Sequence, residues 1–161
     1  ILSGRTPRAC PWVSMKDRFK VIPSVYLLLV LDGKILLLRR RNTGYFDGYY
    51  GMPAGHVEAN ETLADGMVRE AAEEAGVAVR KENLRLAHVI YRKSGIPAPH
   101  ERVDFFFAAD AWEGESRNME PEKCDDIGWF PLSALPENTV PEQRQGIENT
   151  HRGEFYSEIW P

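Results

Sequence analysis

The feature that most constrains the fold of this chain is a predicted helix with a capping residue at each end. The helix determines which side chains share one face. Residues 62–76 begin with a threonine, a residue type that caps helix N-termini, and Asp65 stands where a capping box places its acid. Gly76 is suited to the left-handed conformation that ends a helix. Apolar residues recur at helical spacing between these ends and predict one buried face. They are Leu63, Ala64, Met67, Val68, Ala71 and Ala75.

Three glutamates share one side of this predicted helix, beside the apolar face. At about 100° per residue, Glu70, Glu73 and Glu74 project in similar directions, and Glu74 borders the apolar residues. Gly66 lies between them and leaves the backbone open to close approach. A partly buried cluster of like charges needs a compensating cation or raised pKa values. A solvated acidic face and a site for a hard divalent cation are therefore both open interpretations.

The segment that contains this helix resembles the sequence box of the Nudix hydrolases. The box reads Gly, five residues, Glu, seven residues, then Arg-Glu-apolar-any-Glu-Glu-any-Gly-apolar. The matching residues are Gly55, Glu61, Arg69, Glu70, Ala71, Glu73, Glu74, Gly76 and Val77. So many specified positions rarely coincide in a short window, and the resemblance covers roughly residues 19–151.

The remaining patterns predict an α/β/α sandwich, with a mixed β-sheet between helices, which is also the fold that the resemblance implies. The predicted strands are residues 25–31, 34–41, 84–93, 102–112 and 127–131. Asp32-Gly33 is a hairpin signal between the first two strands, and residues 94–99 connect an antiparallel pair. Residues 141–152 predict a second helix, with proline at its start and glycine after its end.

Length and composition indicate one domain in a reducing compartment. The chain has 161 residues, and we expect residues 15–161 to form a single domain. Residues 1–14 lack periodicity and acids, so they read as an added or misassigned leader, with a transit peptide as the alternative. Only two cysteines are present, which favours a cytoplasmic location. The longest apolar run, residues 25–31, is too short to cross a bilayer, so no membrane partner is expected.

The resemblance implies hydrolysis of a nucleoside diphosphate linked to another group, with Mg²⁺ or Mn²⁺ and an activated water. By the match, Glu70, Glu73 and Glu74 are metal ligands, together with a main-chain carbonyl of Ala54 or Gly55. The formal net charge of −4 argues against a nucleic-acid polymer as partner and leaves a small anionic substrate open.

Two further box residues complete the catalytic set that the resemblance implies. Glu61 lies across the loop as an additional ligand or a support for one, and Arg69 orients Glu61 or a neighbour through charge-assisted hydrogen bonds. Members of the family differ in which glutamate acts as the base, so Glu70 is a candidate.

Two candidates follow the box along the chain. Glu120 belongs to a Glu-Pro-Glu-Lys-Cys segment that resembles Nudix members of the MutT type, and it is a candidate distal metal ligand or base, with a surface loop of acids as the alternative. Asn138 could read a purine edge with its amide, or cap the second helix. Cys124 is expected to be a packing residue, and His88 and His100 are not expected to be ligands.

The candidates for substrate contact before the box are basic and aromatic. Arg39 and Arg41 end a predicted strand, where they could meet phosphates or simply form a basic surface. Tyr45 and Phe46 lie on a loop rich in glycine and tyrosine, where they could stack on a base or anchor the loop.

These residues lead us to expect a Mg²⁺-dependent hydrolase of a small-molecule nucleoside triphosphate, normal or damaged (8-oxo-dGTP is one example), that releases nucleoside monophosphate and pyrophosphate. One alternative is a Nudix hydrolase of ADP-ribose, a nucleotide sugar or another organic diphosphate. A second alternative is a Nudix module that binds a nucleotide without cleaving it. A homodimer is also open.

Overall fold

The computed structural model describes residues 19–94 and 100–160. The predicted leader, residues 1–14, lies outside the described residues, and so does most of the predicted connection 94–99. The described elements are β1 (Ile22–Leu28), β2 (Val30–Leu31), β3 (Lys34–Arg40), β4 (Tyr50–Gly51), β5 (Ala54–His56), α1 (Leu63–Ala75), β6 (Leu84–Ser94), β7 (His100–Ala109), β8 (Cys124–Pro131), α2 (Pro141–His151) and β9 (Tyr156–Ile159). Neither α1 nor α2 is long and apolar enough to span a membrane.

The strands form two sheets. The five-stranded sheet has the order β5-β1-β7-β6-β9 and is mixed, because β1 is parallel to β7 and β6 is parallel to β9. In the four-stranded sheet, β3 pairs with β2, β4 and β8, and all of these pairs are antiparallel. The chain passes from one sheet to the other at Leu29, whose carbonyl accepts a hydrogen bond of 3.0 Å from the N–H of Leu36.

The two helices cover opposite faces of the strands, which confirms the predicted sandwich. Because successive residues of a strand point to opposite faces, Val25 and Leu27 pack on the side of α1, whereas Tyr26 and Leu28 pack on the side of α2. At α2, Gly146 lies so close to Phe106 that an added Cβ would collide with the ring. The site therefore rests on a core that is packed from both sides.

The hairpin at Asp32-Gly33 is confirmed, but the strand predicted before it is two strands. Asp32 and Gly33 have φ values of 49° and 73°, as a tight two-residue turn requires. The predicted strand 25–31 divides into β1 and β2. A run buried on both faces shows no alternation, so its sequence does not mark the point where the chain changes sheets.

Other element bounds differ where tertiary pairing extends or ends a strand. The predicted strand 102–112 ends at Ala109, and the predicted strand 127–131 begins at Cys124 because β8 pairs with β3 over its whole length. The sequence predicts a loop at the start of the box, but Ala54–His56 form β5 along β1. The strand β9 was not predicted, and it pairs with β6. The helix α2 ends at His151, one residue earlier than predicted.

Candidate functional site

The helix α1 has the predicted ends. The Thr62 hydroxyl accepts a hydrogen bond of 3.2 Å from the N–H of Asp65, and the Asp65 carboxylate accepts one of 3.3 Å from the N–H of Thr62. Gly76 ends the helix in the left-handed conformation, with φ of 67°. The capping box and the C-terminal glycine are therefore both confirmed, and they set which residues of α1 face inward.

Two of the predicted metal ligands face the protein interior. Glu70 is 9% exposed and lies against the main chain of β5, where a Cβ on Gly55 would collide with its carboxylate. The Glu74 carboxylate accepts a hydrogen bond of 2.9 Å from the N–H of Ala54. The start of the box and the middle of α1 therefore lie in contact through these two acids. Glu73 differs, because 54% of its side chain is exposed.

Arg69 connects the acids of the box with one another. Its Nη1 donates to Glu70 at 2.6 Å and to Glu73 at 3.1 Å. Its Nε and Nη2 donate to the two carboxylate oxygens of Glu61 at 3.2 Å and 2.8 Å, and Nη2 also donates to the carbonyl of His56 at 3.1 Å. The guanidinium therefore holds Glu61 by two charge-assisted hydrogen bonds, and the sequence predicts a contact of this type without its two-point geometry.

The space that Gly66 leaves beside the helix is occupied by the Glu61 side chain. A Cβ on Gly66 would stand 2.9 Å from an oxygen of Glu61. Glu61 also accepts a hydrogen bond of 2.6 Å from the N–H of Glu58. The loop before α1 therefore folds back over the helix, and Gly66 makes room for the Glu61 carboxylate.

The two acids that face the interior, Glu70 and Glu74, have raised pKa values. Burial raises the pKa of Glu74 to about 7, and the nearby Glu70 and Glu120 charges add to the effect, whereas the Ala54 N–H opposes it. Burial also raises the pKa of Glu70, against the opposing effect of Arg69. Among residues 19–94 and 100–160, Glu74 has no cationic side chain within ion-pair distance. A buried acid in this setting is suited to a cation.

The carboxylates do not converge on one point in this arrangement. The described part of the chain contains no group of three or more His, Cys, Asp or Glu side chains placed to hold a metal ion. Glu73 is instead bound by Arg69, and Glu120 by Lys123 at 2.7 Å. The side chain of Glu73 is 54% exposed and that of Glu120 is 30% exposed. The donor set itself, carboxylates and main-chain carbonyls, is the set that hard divalent cations prefer.

A cleft of about 500 Å³ opens beside Glu74, a volume within the usual range of small-molecule sites. Six of the predicted site residues line the cleft: Arg39, Tyr45, Ala54, Gly55, Glu74 and Glu120. The lining does not include the predicted contacts Arg41, Phe46 and Asn138. The two sheets, the loop after β3 and the start of α2 all contribute to its walls.

Asn138 does not cap the second helix, and it is not among the residues that line the cleft. The residue before α2 that serves as the cap is Val140, and no side chain caps this helix. The Asn138 amide instead donates a hydrogen bond of 2.7 Å to the carbonyl of Gly48. Asn138 therefore connects the loop after β3 to the segment before α2.

The aromatic residues of the loop after β3 have different contacts. Phe46 packs edge-on against Tyr45 and Tyr49, whereas Tyr45 lines the cleft.

Of three consecutive arginines, the one available to a ligand is Arg40. Arg39 lines the cleft but forms an ion pair of 2.6 Å with Asp125, and Arg41 is exposed outside the cleft. Arg40 lines the cleft and donates to the carbonyl of Tyr45 at 2.7 Å and to the hydroxyl of Thr43 at 3.1 Å. No carboxylate of the described residues lies within ion-pair distance of Arg40.

The wall of the cleft that the five-stranded sheet contributes was not predicted from the sequence. Its polar residues are Ser24, His56, Arg92 and Arg102. A signal was present, because Arg92 shares its strand face with the buried His88 and Ile90, and a charged residue at such an inward position is uncommon. Burial and the adjacent Arg102 lower the pKa of His56. The neutral ring accepts a hydrogen bond at Nε2 from Arg102, at 2.6 Å.

Comparison with known proteins agrees with the box. The family model described as the NUDIX domain matches residues 20–150. A curated relative named NAD-capped RNA hydrolase NudC, from Chromobacterium violaceum, is 36% identical over 134 residues, which are 83% of this chain and 47% of the relative. A NudC of the same description from Pseudomonas aeruginosa is 34% identical over 136 residues, 84% of this chain and 44% of the relative. This chain therefore spans about half the length of these relatives.

Solved structures share the fold. The crystal structure of a MutT NUDIX hydrolase from Burkholderia pseudomallei has a TM-score of 0.73 and 29% identity, and the match covers 80% of this chain and 97% of that one. The solution structure of the E. coli ORF135 protein has a TM-score of 0.70 at 21% identity, over 83% of this chain and 91% of that one, and shows the fold alone. The matched family model and the identity to these relatives show that the chain belongs to the Nudix hydrolase family.

Proposed function

We propose that this chain is a divalent-metal-dependent hydrolase that cleaves a phosphoanhydride bond of a nucleotide. A nucleoside triphosphate, cleaved to nucleoside monophosphate and pyrophosphate, is the first substrate class. The observation that supports it is the meeting of Glu74, Glu120 and Arg40 in one cleft. The acids suit a cation, and a guanidinium without a carboxylate partner suits phosphate oxygens.

The metal that the proposal requires is Mg²⁺, with Mn²⁺ as a substitute. Its ligands would be Glu70, Glu73, Glu74 and Glu120, with a main-chain carbonyl of Ala54 or Gly55. A divalent ion at such a site polarises a phosphoryl oxygen and lowers the pKa of a water. The fit rests on the oxygen-only donor set and on the buried Glu74 acid, whose pKa of about 7 reflects burial without a cationic partner.

The chain's own residues would position the reacting groups. Arg69 holds Glu61 and Glu70 in fixed orientations, so its catalytic contribution is the geometry of the acids that surround the reacting phosphate. Glu70 is the first candidate for the general base, as its match to the box implies, and burial raises its pKa. Glu120 is the second candidate for the base, since it lines the cleft, whereas Glu70 is not among the lining residues. Arg40 would neutralise charge on the phosphates.

A second substrate class is a dinucleotide of the NAD type, cleaved to two mononucleotides. The observation that favours it is the name of the relatives, NAD-capped RNA hydrolase, at 36% and 34% identity. This chain spans only about half of those proteins, so hydrolysis of NAD-capped RNA does not follow from hydrolysis of a free dinucleotide. The test therefore includes capped RNA as a separate substrate. The formal charge of −4 disfavours tight binding of an RNA chain.

The test is a measurement of products with Mg²⁺ and with EDTA. The substrates are the normal nucleoside triphosphates, 8-oxo-dGTP, ADP-ribose, a nucleotide sugar, NADH and an RNA that carries a 5′ NAD. Pyrophosphate and monophosphate from a triphosphate, lost with EDTA, support the first class. Two mononucleotides from NADH support the second class and replace the first. Binding of nucleotides without any turnover identifies a binding module and overturns the proposal.

The matched variant replaces Glu73 and Glu74 together by glutamine. Turnover is expected to disappear while the unfolding midpoint stays close to that of the parent chain, because glutamine keeps the size of the side chains and removes their charge. The control replaces two exposed acids outside the cleft, Glu82 and Glu113, by glutamine. Persistent metal-dependent turnover in the first variant would show that the assigned metal ligands are wrong.

A further inference from the structure

The two sheets give the cleft two walls of different charge. The wall from the four-stranded sheet and the loop after it carries Arg40, Lys123 and Glu120. The wall from the five-stranded sheet carries Arg92 and Arg102. The proposed phosphate chemistry lies at the first wall and at the Ala54 and Gly55 carbonyls of β5, whereas Arg92 and Arg102 have no assigned part in it.

Arg92 is buried and is paired with two carboxylates of the protein. It is 4% exposed, its Nε donates to a carboxylate oxygen of Asp104, and its Nη1 lies 3.3 Å from Glu142. The Tyr45 hydroxyl donates to the same Glu142 carboxylate. Arg92 therefore joins two strands, the helix α2 and the loop after β3, and serves as a base for the wall.

Arg102 is held at one nitrogen and lacks a hydrogen-bond acceptor at another. Its Nη2 donates to the Ser24 hydroxyl at 2.8 Å and to His56 at 2.6 Å. Its Nε is buried without a hydrogen-bond partner among the described residues, and the facing oxygen of Asp104 is 3.8 Å away, beyond hydrogen-bond distance. A buried donor without an acceptor lowers stability, and the facing Asp104 oxygen also lacks a hydrogen-bond partner in the described part of the chain. The Nη2 contacts of Arg102 are to uncharged groups, unlike the carboxylate contacts of Arg92. Arg102 is therefore the polar group of this wall that can exchange its contacts for a ligand.

The charge of the surrounding cluster decides the kind of ligand. The guanidinium groups of Arg92 and Arg102 face the carboxylates of Asp104 and Glu142, so the positive and negative charges are equal in number. A phosphate placed here would bring an uncompensated charge into a largely buried region. An uncharged hydrogen-bond acceptor would satisfy the guanidinium without that cost. Carbonyl oxygens on the edge of a nucleobase are acceptors of this kind.

We propose that Arg102 is a specificity-determining residue that donates a hydrogen bond to a carbonyl oxygen of the substrate's nucleobase. The proposal rests on the proposed function, because it gives the nucleotide of that reaction a base that carries an exocyclic oxygen. The Ser24 hydroxyl and the His56 ring hold the guanidinium in place for this contact. The phosphates of the same nucleotide lie toward Arg40 and the acids.

The test compares binding of inosine 5′-monophosphate, adenosine 5′-monophosphate and ribose 5-phosphate, measured by NMR titration with EDTA. The two purine nucleotides differ at position 6, where one has an oxygen and the other an amino group. The parent chain is expected to bind the inosine nucleotide about tenfold more tightly than the adenosine nucleotide, as a hydrogen bond from a charged donor implies. Arg102→Met is expected to remove this preference and leave ribose 5-phosphate binding unchanged.

Each other outcome overturns the proposal. An equal loss for all three ligands in Arg102→Met shows that Arg102 binds the phosphate. Absence of the preference in the parent chain, or its persistence in the variant, shows that Arg102 does not read the base. Arg102→Lys keeps the charge and replaces Arg102→Met if that variant fails to fold, with the same expected loss of preference. Arg85→Met, at an exposed arginine of β6 outside the cleft, is the matched control. Because no metal or turnover is needed, a failed hydrolysis assay and a failed preference are separate results.

Discussion

At the scale of single residues, the site depends on which side chains the fold leaves without a partner. Arg69 is saturated by acids of the box, and Arg39 by Asp125, so neither is free to exchange partners easily. Arg40 and Glu74 lie in the same cleft without oppositely charged partners among the described side chains, which makes them the residues most suited to a substrate and a cation. The site also depends on a glycine, because the absence of a Cβ at Gly55 leaves room for the Glu70 carboxylate.

Gly55→Ala is expected to displace Glu70, because the new Cβ would occupy the position of its carboxylate. We expect turnover to fall about 100-fold, the effect of moving a catalytic group by about 1 Å. Steady-state kinetics and Mn²⁺ binding by electron paramagnetic resonance measure the effect. Gly128→Ala is the control, since a Cβ there would meet only the Phe130 ring at 3.3 Å. Unchanged metal binding and kinetics in Gly55→Ala would contradict the placement of Glu70.

Arg40→Met and Arg41→Met form a matched pair of adjacent arginines. Arg40 lines the cleft, so its loss is expected to raise KM for the nucleotide about tenfold, as the loss of one charge-assisted hydrogen bond would. Arg41 is exposed outside the cleft, and its loss is expected to change KM by less than about twofold. Initial-rate measurements at several substrate concentrations decide the question. The reverse order of effects would show that the substrate approaches over the outer surface of β3.

At the scale of elements, the ends of α1 could be predicted and the divisions between strands could not. The capping box and the terminal glycine of α1 are local interactions between residues at most five positions apart, so the sequence contains them completely. The strand bounds depend on partners far along the chain. Cys124 begins β8 because it pairs with Arg40, and β9 forms because it pairs with β6. No local pattern contains this information.

The capping box of α1 predicts a loss of stability in acid. Hydrogen bonds from Lys81, and then from Thr62, lower the pKa of Asp65 to about 2, below its usual 3.8. A carboxyl group whose pKa is lower in the folded state contributes stability above its unfolded pKa, and this contribution disappears as the pH falls from about 4 to about 2. Urea unfolding at several pH values is expected to show a smaller acid loss for Asp65→Asn than for the parent chain. Identical pH profiles would contradict the assignment.

At the scale of the whole molecule, the fold and the site have different origins. The predicted sandwich and family are confirmed, because apolar periodicity and the box suffice for both. The walls of the cleft combine β1, β5, β6 and β7 with the end of β3 and the start of α2, and this combination exists only after folding. The predicted contacts Arg41, Phe46 and Asn138 are not among the residues that line the cleft, although neighbouring residues such as Arg40 and Tyr45 are.

The packing of both helices on adjacent residues of β7 gives a test of the sandwich. Phe106 meets α2 and Phe107 belongs to the cluster under α1. Gly146→Ala would force a methyl group into the Phe106 ring, so we expect a loss of about 1–3 kcal/mol in the free energy of unfolding, typical of overpacking. Urea unfolding measures this loss. Thr150→Ala, a change one turn further along α2, serves as the comparison, and an equal or smaller loss in Gly146→Ala would mean that the two elements are not closely packed.

By itself the sequence determined the capped helix, its apolar face, the spacing of the box acids and, through them, the family, because each of these depends on residues close together along the chain. The tertiary structure decided which charges are paired. Asp125 reaches Arg39 across 86 positions, and Asp104 meets Arg92 on the neighbouring strand β6. Since a charge is available to a substrate only when no such partner neutralises it, the difference between Arg40 and its neighbour Arg39 could be seen only in the folded chain.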